Sequence, residues 1–174
     1  MSRVIKIELS QSSIQNAIKQ VEMYKQEVHY KCSIFIQRLA EVGLTAIEAH
    51  KYSPGDSDFN DLRTFVWVDE GGTFVKATLF LHGKDVAFIE FGAGVHYNGA
   101  GGESPNPYGA PLGMIIGSYG LGHGLEDHWF YRDSETGESK MSHGTEAAMP
   151  MYHASVKIRE KNSFLSIARE VFSK

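Results

Sequence analysis

The stretch SSIQNAIKQVEMYKQEVHYKCSIFIQRLAEVGLTAIEA, residues 12–49, decides the fold of this 174-residue chain. Its apolar side chains recur at steps of three and four residues, and its other positions are mostly Lys, Gln, Glu and Arg. This spacing puts the apolar residues on one face of a helix. The pattern predicts a long amphipathic helix on a core, with the apolar face Ile14, Ile18, Val21, Tyr24, Val28, Cys32, Phe35, Leu39, Val42 and Ala46.

The length of this helix leaves two alternatives open. Unbroken from 12 to 49 it would be ~57 Å long at ~1.5 Å per residue, whereas a domain of this size has a radius of gyration of ~16 Å. Either Gly43 interrupts the helix, or the helix projects toward a neighbouring subunit. Its start is also open: Ser12 would form a capping box with Gln15, and Ser10 would bring Leu9 onto Ile14.

The flanking segments predict short strands and turns. Residues 3–9 alternate apolar and charged side chains, which is a weak strand signal. Residues 51–61 are a turn-rich connector, and the β-rich runs 62–69 and 73–81 surround Glu70-Gly71-Gly72, so we predict a β-hairpin.

The rest of the chain predicts one further strand and two helices. We expect Asp85 to cap a short helix that runs from Val86 to Phe91 and is ended by Gly92 in the left-handed conformation. Residues 127–133 predict a strand and 134–137 a turn. Pro150 suits the first turn of a last helix, in which Asn162-Ser163 marks a kink. The result is a single α+β domain, 1–174, whose small antiparallel sheet is packed by a long N-terminal helix and a C-terminal helix.

Glycine is concentrated in residues 92–124. This window holds eleven of the 18 glycines and three of the five prolines, and its one charged residue is Glu103. The window also carries Tyr97, Tyr108 and Tyr119. Long loops in compact domains are usually functional or disordered. We interpret 93–124 as an extended assembly loop, mobile in the free subunit and ordered against its neighbours.

Composition and motifs exclude several functions. One cysteine excludes a disulfide framework, and no apolar run approaches the ~20 residues of a membrane span. The N-terminus does not resemble a signal peptide. The net charge of -4 has mixed signs throughout, so we expect no sequence-specific nucleic-acid binding. The glycines lack the spacing and context of a nucleotide-binding loop. We expect no cofactor, no metal and no catalytic residue.

Two other functions remain as alternatives. One is a metal-assisted hydrolase that uses the cluster of His123, Glu126, Asp127 and His128, although the spacing is not that of a common metal motif. The other is a module that binds glycans or peptides, built on the loop tyrosines together with Trp129, Phe130 and Tyr131.

Glu90 lies in the apolar sequence Ala-Phe-Ile-Glu-Phe, residues 87–91. A carboxyl group in such surroundings can have a raised pKa and act as an acid. The simpler interpretation is that Glu90 caps or hydrogen-bonds nearby backbone. We favour the cap, because no second carboxylate is close in sequence.

Several segments together resemble one family. Residues 87–97, AFIEFGAGVHY, resemble the signature aromatic–Ile/Val–Glu–Phe–Gly–Thr–Gly of the neck and tail-completion proteins, or tail components, of long-tailed double-stranded DNA phages and prophages. The resemblance covers about residues 10–173. Two departures are the Ala93 in place of Thr and the loose match at 52–56. The other similar segments are Tyr119-Gly120, Gly122-His123-Gly124, Trp129-Phe130-Tyr131, His143-Gly144, Met149-Pro150-Met151-Tyr152 with Ala154, and 167–172.

The resemblance implies a structural and non-enzymatic role. Such a protein would assemble as a ring at the head–tail junction or the upper end of the tail, with itself and with head–tail connector and tail proteins as partners and with no membrane. It would be found in the virion, and in the host cytoplasm during assembly. The candidate interface residues are Glu90, Phe91, Gly92, Gly94, Tyr97, Tyr108, Tyr119 and Trp129.

Overall fold

A helix of 40 residues, α1 (Gln11–His50), forms the frame of the computed structural model of this chain. The structure describes residues 5–51, 62–84, 86–92, 102–112, 115–116, 129–133, 136–142 and 147–173. Helix α1 begins at Ser10, whose side chain accepts a hydrogen bond from the Ser13 amide at 3.3 Å. Of the two predicted caps, Ser10 is therefore the one used. Leu9 is fully exposed and does not pack on Ile14.

The predicted strand at residues 3–9 is wrong for its described part. Residues 5–8 have no regular structure. An alternating segment needs a partner strand to bond its backbone, and no described strand pairs with this one.

Helix α1 is unbroken, so of the two alternatives left open by its length, the one with a break at Gly43 is excluded. Gly43 is buried and serves close packing instead. A Cβ atom at this position would lie 2.7 Å from both Ile158 Cδ1 and Leu79 Cδ2. The missing side chain lets the neighbouring elements approach the helix, and the helical hydrogen bonds continue through the glycine.

The predicted hairpin is confirmed, with strands β1 (Arg63–Glu70) and β2 (Val75–His82). The strands are antiparallel, with Phe65 opposite Phe80 and Val66 opposite Leu79. The turn between them is 71–74, longer than the predicted Glu70-Gly71-Gly72. One face of the hairpin packs on α1, as expected when alternate residues of a strand point to opposite sides.

The short helix α2 (Val86–Phe91) is also confirmed. Gly92 follows it with φ 77°, and its amide donates to the Phe88 carbonyl at 2.7 Å. This is the left-handed helix end that favours glycine.

Four short strands form two further antiparallel pairs. Strand β3 (Gly102–Glu103) pairs with β4 (Ile115–Ile116), and the 3₁₀ helix Ala110–Leu112 lies between them in sequence. Strand β5 (Trp129–Arg132) falls within the predicted 127–133 and pairs with β6 (Ser139–Ser142). The sequence of β6, Ser-Lys-Met-Ser, has no β-branched or aromatic residue, so it gave no strand signal.

The chain ends in two helices, α3 (Pro150–Arg159) and α4 (Lys161–Phe172). The break falls at Glu160, two residues before the predicted kink. Helix α4 packs on α1 through Phe35, whose ring lies 5.1 Å from that of Phe164 and 5.7 Å from that of Phe172. An ion pair between Arg38 and Glu170 joins the same two helices.

The core lies around the C-terminal half of α1. One buried cluster joins Ala46 and Ile47 to Ala154 of α3. A second joins Leu62 to Ile89 of α2, and Leu81 of β2 contacts both clusters. The fold is therefore α+β, with helices and an antiparallel hairpin packed on one half of a long helix.

Candidate functional site

The Glu90 carboxylate caps helix α3 from outside that helix. Oε2 of Glu90 accepts a hydrogen bond from the Met151 amide at 2.8 Å, and Oε1 accepts one from the Tyr152 amide at 2.9 Å. These two amides lie in the first turn of α3, where backbone N–H groups have no partner within the helix. A carboxylate is also favoured there by the helix dipole.

The sequence around the start of α3 explains why it needs this cap. Pro150 is the first helical residue and has no N–H group. The residue before it, Met149, has no side-chain oxygen and takes the left-handed conformation, with φ 54° and ψ 44°. Left-handed geometry is unfavourable for a residue with a Cβ, so surrounding contacts must hold it. The amides of Ala148 and Met149 supply two, donating to the Ile89 carbonyl at 2.8 and 3.2 Å.

Asn106 completes the contacts of Glu90. The Asn106 side chain is 1% exposed, and its Nδ2 donates to Glu90 Oε1 at 2.7 Å. Its Oδ1 accepts from the Tyr108 amide at 3.0 Å. Ser104 Oγ donates to the Phe91 carbonyl at 2.5 Å. Residues 104–109 of the glycine-rich window are therefore bound to α2 of their own subunit.

These contacts decide between the two interpretations of Glu90. Its carboxylate is 7% exposed and accepts hydrogen bonds from three donors. The interpretation of Glu90 as a cap is confirmed. The carboxylate holds α2, the 104–109 segment and the start of α3 together.

Two histidines stack beside this cap. The rings of His50, at the end of α1, and His153, in α3, lie 4.0 Å apart with an angle of 19° between their planes. His50 Nδ1 lies 2.8 Å from the Ala46 carbonyl oxygen. Burial, and then the charge of His50, lower the pKa of His153, while Glu90 acts in the opposite direction.

The outer side of α3 borders an open groove of about 540 Å³. The ring of Tyr108 meets that of Tyr152 edge-on, with centroids 6.3 Å apart. Tyr108 is therefore placed at the surface beside the Glu90 contacts. The groove is lined by Pro107, Tyr108, Tyr152, Ser155, Val156, Arg159 and Glu160.

The structure brings together four of the predicted interface residues. Glu90, Phe91, Gly92 and Tyr108 lie in or beside the contacts described above. Trp129 begins β5, away in sequence from this cluster. Gly94, Tyr97 and Tyr119 lie outside the described residues, as do the proposed metal ligands His123, Glu126, Asp127 and His128.

The described residues hold neither a group of metal ligands nor a helix that could span a membrane. Within the described ranges no three His, Cys, Asp or Glu side chains are grouped to hold a metal ion. In the same part of the chain no helix is both long and apolar enough to cross a membrane.

The sequence interpretation missed Asn106 and the histidine pair. Asn106 stands between two prolines in a glycine-rich segment, and this pattern does not indicate a buried side chain. His50 and His153 are about a hundred positions apart, so only the fold brings them together. The usable signal was at α3: a helix that begins with proline and lacks a capping side chain needs an acceptor from elsewhere.

Comparisons with known proteins add no relative. No family model matches the chain, and neither the curated proteins nor the solved structures include a significant match.

Proposed function

We propose that this chain is a structural, non-enzymatic subunit of a phage virion: a neck or tail-completion protein that assembles at the head–tail junction as a ring. Its partners would be further copies of itself and the connector and tail proteins of the phage. Its place would be the virion, after assembly in the host cytoplasm.

The contact between two motif blocks supports the family assignment. The resemblance depends most on Ile-Glu-Phe-Gly, residues 89–92, and on Pro-Met-Tyr, residues 150–152. In the fold these blocks meet, because the Glu90 carboxylate accepts from the amides of Met151 and Tyr152. The helix that begins at Pro150 has no capping side chain of its own, and the Glu90 carboxylate supplies the cap. One physical requirement therefore accounts for both blocks.

The exposed N-terminal half of α1 is the observation that carries the assembly part of the proposal. Ile14, Ile18 and Val21 are 44%, 53% and 54% exposed on one face of the helix. A stable helix with an apolar stripe normally buries that stripe. The C-terminal part of the same apolar face packs on the core, so the exposed N-terminal residues are available for a contact between subunits.

Mass photometry and electron microscopy of the purified protein, alone and with the products of its neighbouring genes, test the proposal. We expect closed rings of several copies, or rings that form on a connector or tail component. Ile18→Glu should abolish them, whereas Gln20→Glu, the same new charge on the opposite face of the helix, should leave them. A protein that stays monomeric and binds no connector or tail component would refute the proposal.

A further inference from the structure

The open groove beside α3 has an aromatic end and a cationic end. We propose that it binds a proline-containing segment of another protein in the polyproline II conformation, with an acidic residue three positions from a proline. The inference rests on the proposed function, because a connector or tail protein would supply the segment. It adds the chemistry by which the groove would recognise that partner.

The aromatic end of the groove is fixed by the subunit itself. Asn106 Oδ1 accepts from the Tyr108 amide, and the Asn106 carbonyl accepts from the Gly109 amide at 2.8 Å, so the turn that carries Tyr108 is held by two hydrogen bonds. Tyr152 lies in the capped first turn of α3. The two tyrosine rings meet edge-on, and Pro107 lines the groove with them. Polyproline II segments dock in aromatic-lined grooves of this kind, and a groove that is already ordered loses little entropy on binding.

The other end of the groove offers a cation to a ligand. Arg159 and Glu160 are the two charged residues in its lining. The Glu160 carboxylate is already engaged, accepting from Lys157 Nζ at 2.9 Å and from Ser163 Oγ at 3.4 Å. Within the described chain no carboxylate pairs with the exposed Arg159 guanidinium. A carboxylate from a partner fits this end, because the planar arginine fork matches its two oxygens.

The charges around the groove also favour an acidic ligand. Residues 150–163 carry three cations and one carboxylate, in a chain whose net charge is -4. These four residues are Lys157, Arg159, Lys161 and Glu160. At the aromatic end, the Glu90 carboxylate is 7% exposed and accepts from three donors, so it presents little charge to the groove. The corner between α3 and α4 is therefore locally positive on an acidic chain.

The distance between the two ends selects the conformation of the ligand. Tyr152 and Arg159 lie on one face of α3, two helical turns apart, which is ~10 Å along the helix axis. In a polyproline II segment, residues three positions apart point the same way and lie ~9 Å apart. In a β-strand, residues three positions apart point to opposite sides, so one of them would miss the groove. The spacing thus fits a proline at the tyrosine end and an acidic residue at Arg159.

The 174-residue chain does not contain such a segment. None of its prolines has an Asp or Glu three positions before or after it. The prolines are Pro54, Pro105, Pro107, Pro111 and Pro150. The partner is therefore a different protein, and this groove is not a contact between copies of the chain.

Fluorescence anisotropy with the full chain and dye-labelled peptides tests the proposal. In the probe Ac-PPPEPPPEPPP each glutamate has a proline three positions before it and three positions after it. One matched control replaces Glu by Gln, and the other replaces Pro by Gly. At low salt we expect a Kd below about 1 mM for the probe and at least about fivefold weaker binding of either control. Absence of probe binding, or equal binding of the Glu and Gln peptides, would overturn the inference.

Two variants locate the binding in the groove. Arg159→Gln should remove the preference for the Glu peptide over the Gln peptide, and Arg63→Gln, at an exposed arginine of β1, should leave it. Tyr108→Ala should weaken both peptides at least about fivefold, and thermal unfolding checks that each variant is folded. A preference that survives Arg159→Gln would place the acidic residue elsewhere and contradict the proposal.

Further outcomes separate this inference from the proposed function. If the probe does not bind while mass photometry shows rings or connector complexes, the groove proposal is wrong and the proposed function stands. If the probe binds as expected and neither rings nor connector complexes form, the peptide groove is supported and the proposed function fails. Tighter binding of single-stranded oligo(dT) than of the probe would identify a groove that stacks nucleic-acid bases, and would overturn the inference.

Discussion

The two halves of α1 have the same apolar spacing but different surroundings. In the C-terminal half, Leu39, Ala46 and Ile47 are buried by the hairpin and α3. In the N-terminal half, Ile14, Ile18 and Val21 are exposed. The amphipathic pattern predicts that a face will be covered, and it does not say which chain covers it. Within the subunit, only the C-terminal half of this face is covered.

The first prediction separates the two halves by stability. Ile47→Ala should lower the free energy of unfolding by about 3 kcal/mol, because it opens a cavity at a residue with 0% exposure. Ile18→Ala, the matched change in the N-terminal half, should cost less than about 0.5 kcal/mol in the monomer. Urea denaturation at low protein concentration measures both. Equal losses would mean that the halves do not differ as described.

The second prediction concerns the Glu90 cap at the start of α3, the helix that packs on the C-terminal half of α1. Glu90→Gln keeps the size of the side chain but removes its charge and one acceptor oxygen. The variant should lower the free energy of unfolding by about 2 kcal/mol, because one of the N–H groups that donate to the carboxylate loses its acceptor. Glu138→Gln, at an exposed position, is the control and should be neutral. A neutral Glu90→Gln would show that the carboxylate does not stabilise the start of α3.

The third prediction concerns the close packing at Gly43. Gly43→Ala places a methyl group 2.7 Å from side-chain carbons of Ile158 and Leu79. Those side chains must move, so we expect a loss of about 1 kcal/mol from overpacking. Gly72→Ala is the control, because no atom lies within 4 Å of its added Cβ. Thermal unfolding of the two variants should therefore differ, and a stabilised Gly43→Ala protein would refute the packing role.

The smallest expected effect is a pH dependence at the C-terminal end of α1. The pKa of His153 is lowered from 6.5, first by burial and then by His50. The unfolded chain therefore binds a proton more readily than the folded one, and the folded protein loses stability as the pH falls through about 6.5. His153→Gln should reduce this loss between pH 7.5 and 5.5, and His82→Gln, at an exposed strand end, should not. An unchanged pH profile in His153→Gln would exclude His153 as its source.

The fold was predictable wherever the local pattern carried the information. The period of α1, the alternation in the hairpin and Gly92 after α2 each identify their element. The break at Glu160 had no such signal, because neither glycine nor proline stands there. Strand β6 also had none, since its stability comes from pairing with β5 rather than from its own residues.

The site was predictable only in part. An apolar sequence around Glu90 indicated a carboxylate that must find hydrogen-bond donors. Its donors come from Asn106 and from the first turn of α3, and tertiary packing alone brings them to it. The lack of a second carboxylate near Glu90 in sequence favoured a structural role, and the fold identifies that role as a helix cap.

The most direct test of the account is the assembly state of the wild-type protein beside that of Ile18→Glu, measured by native mass spectrometry with thermal unfolding of both. We predict oligomers of several copies for the wild type and monomers for the variant, with equal melting temperatures at low concentration. Oligomers of the same size and abundance in both proteins would contradict the claim that the N-terminal half of α1 joins one subunit to the next.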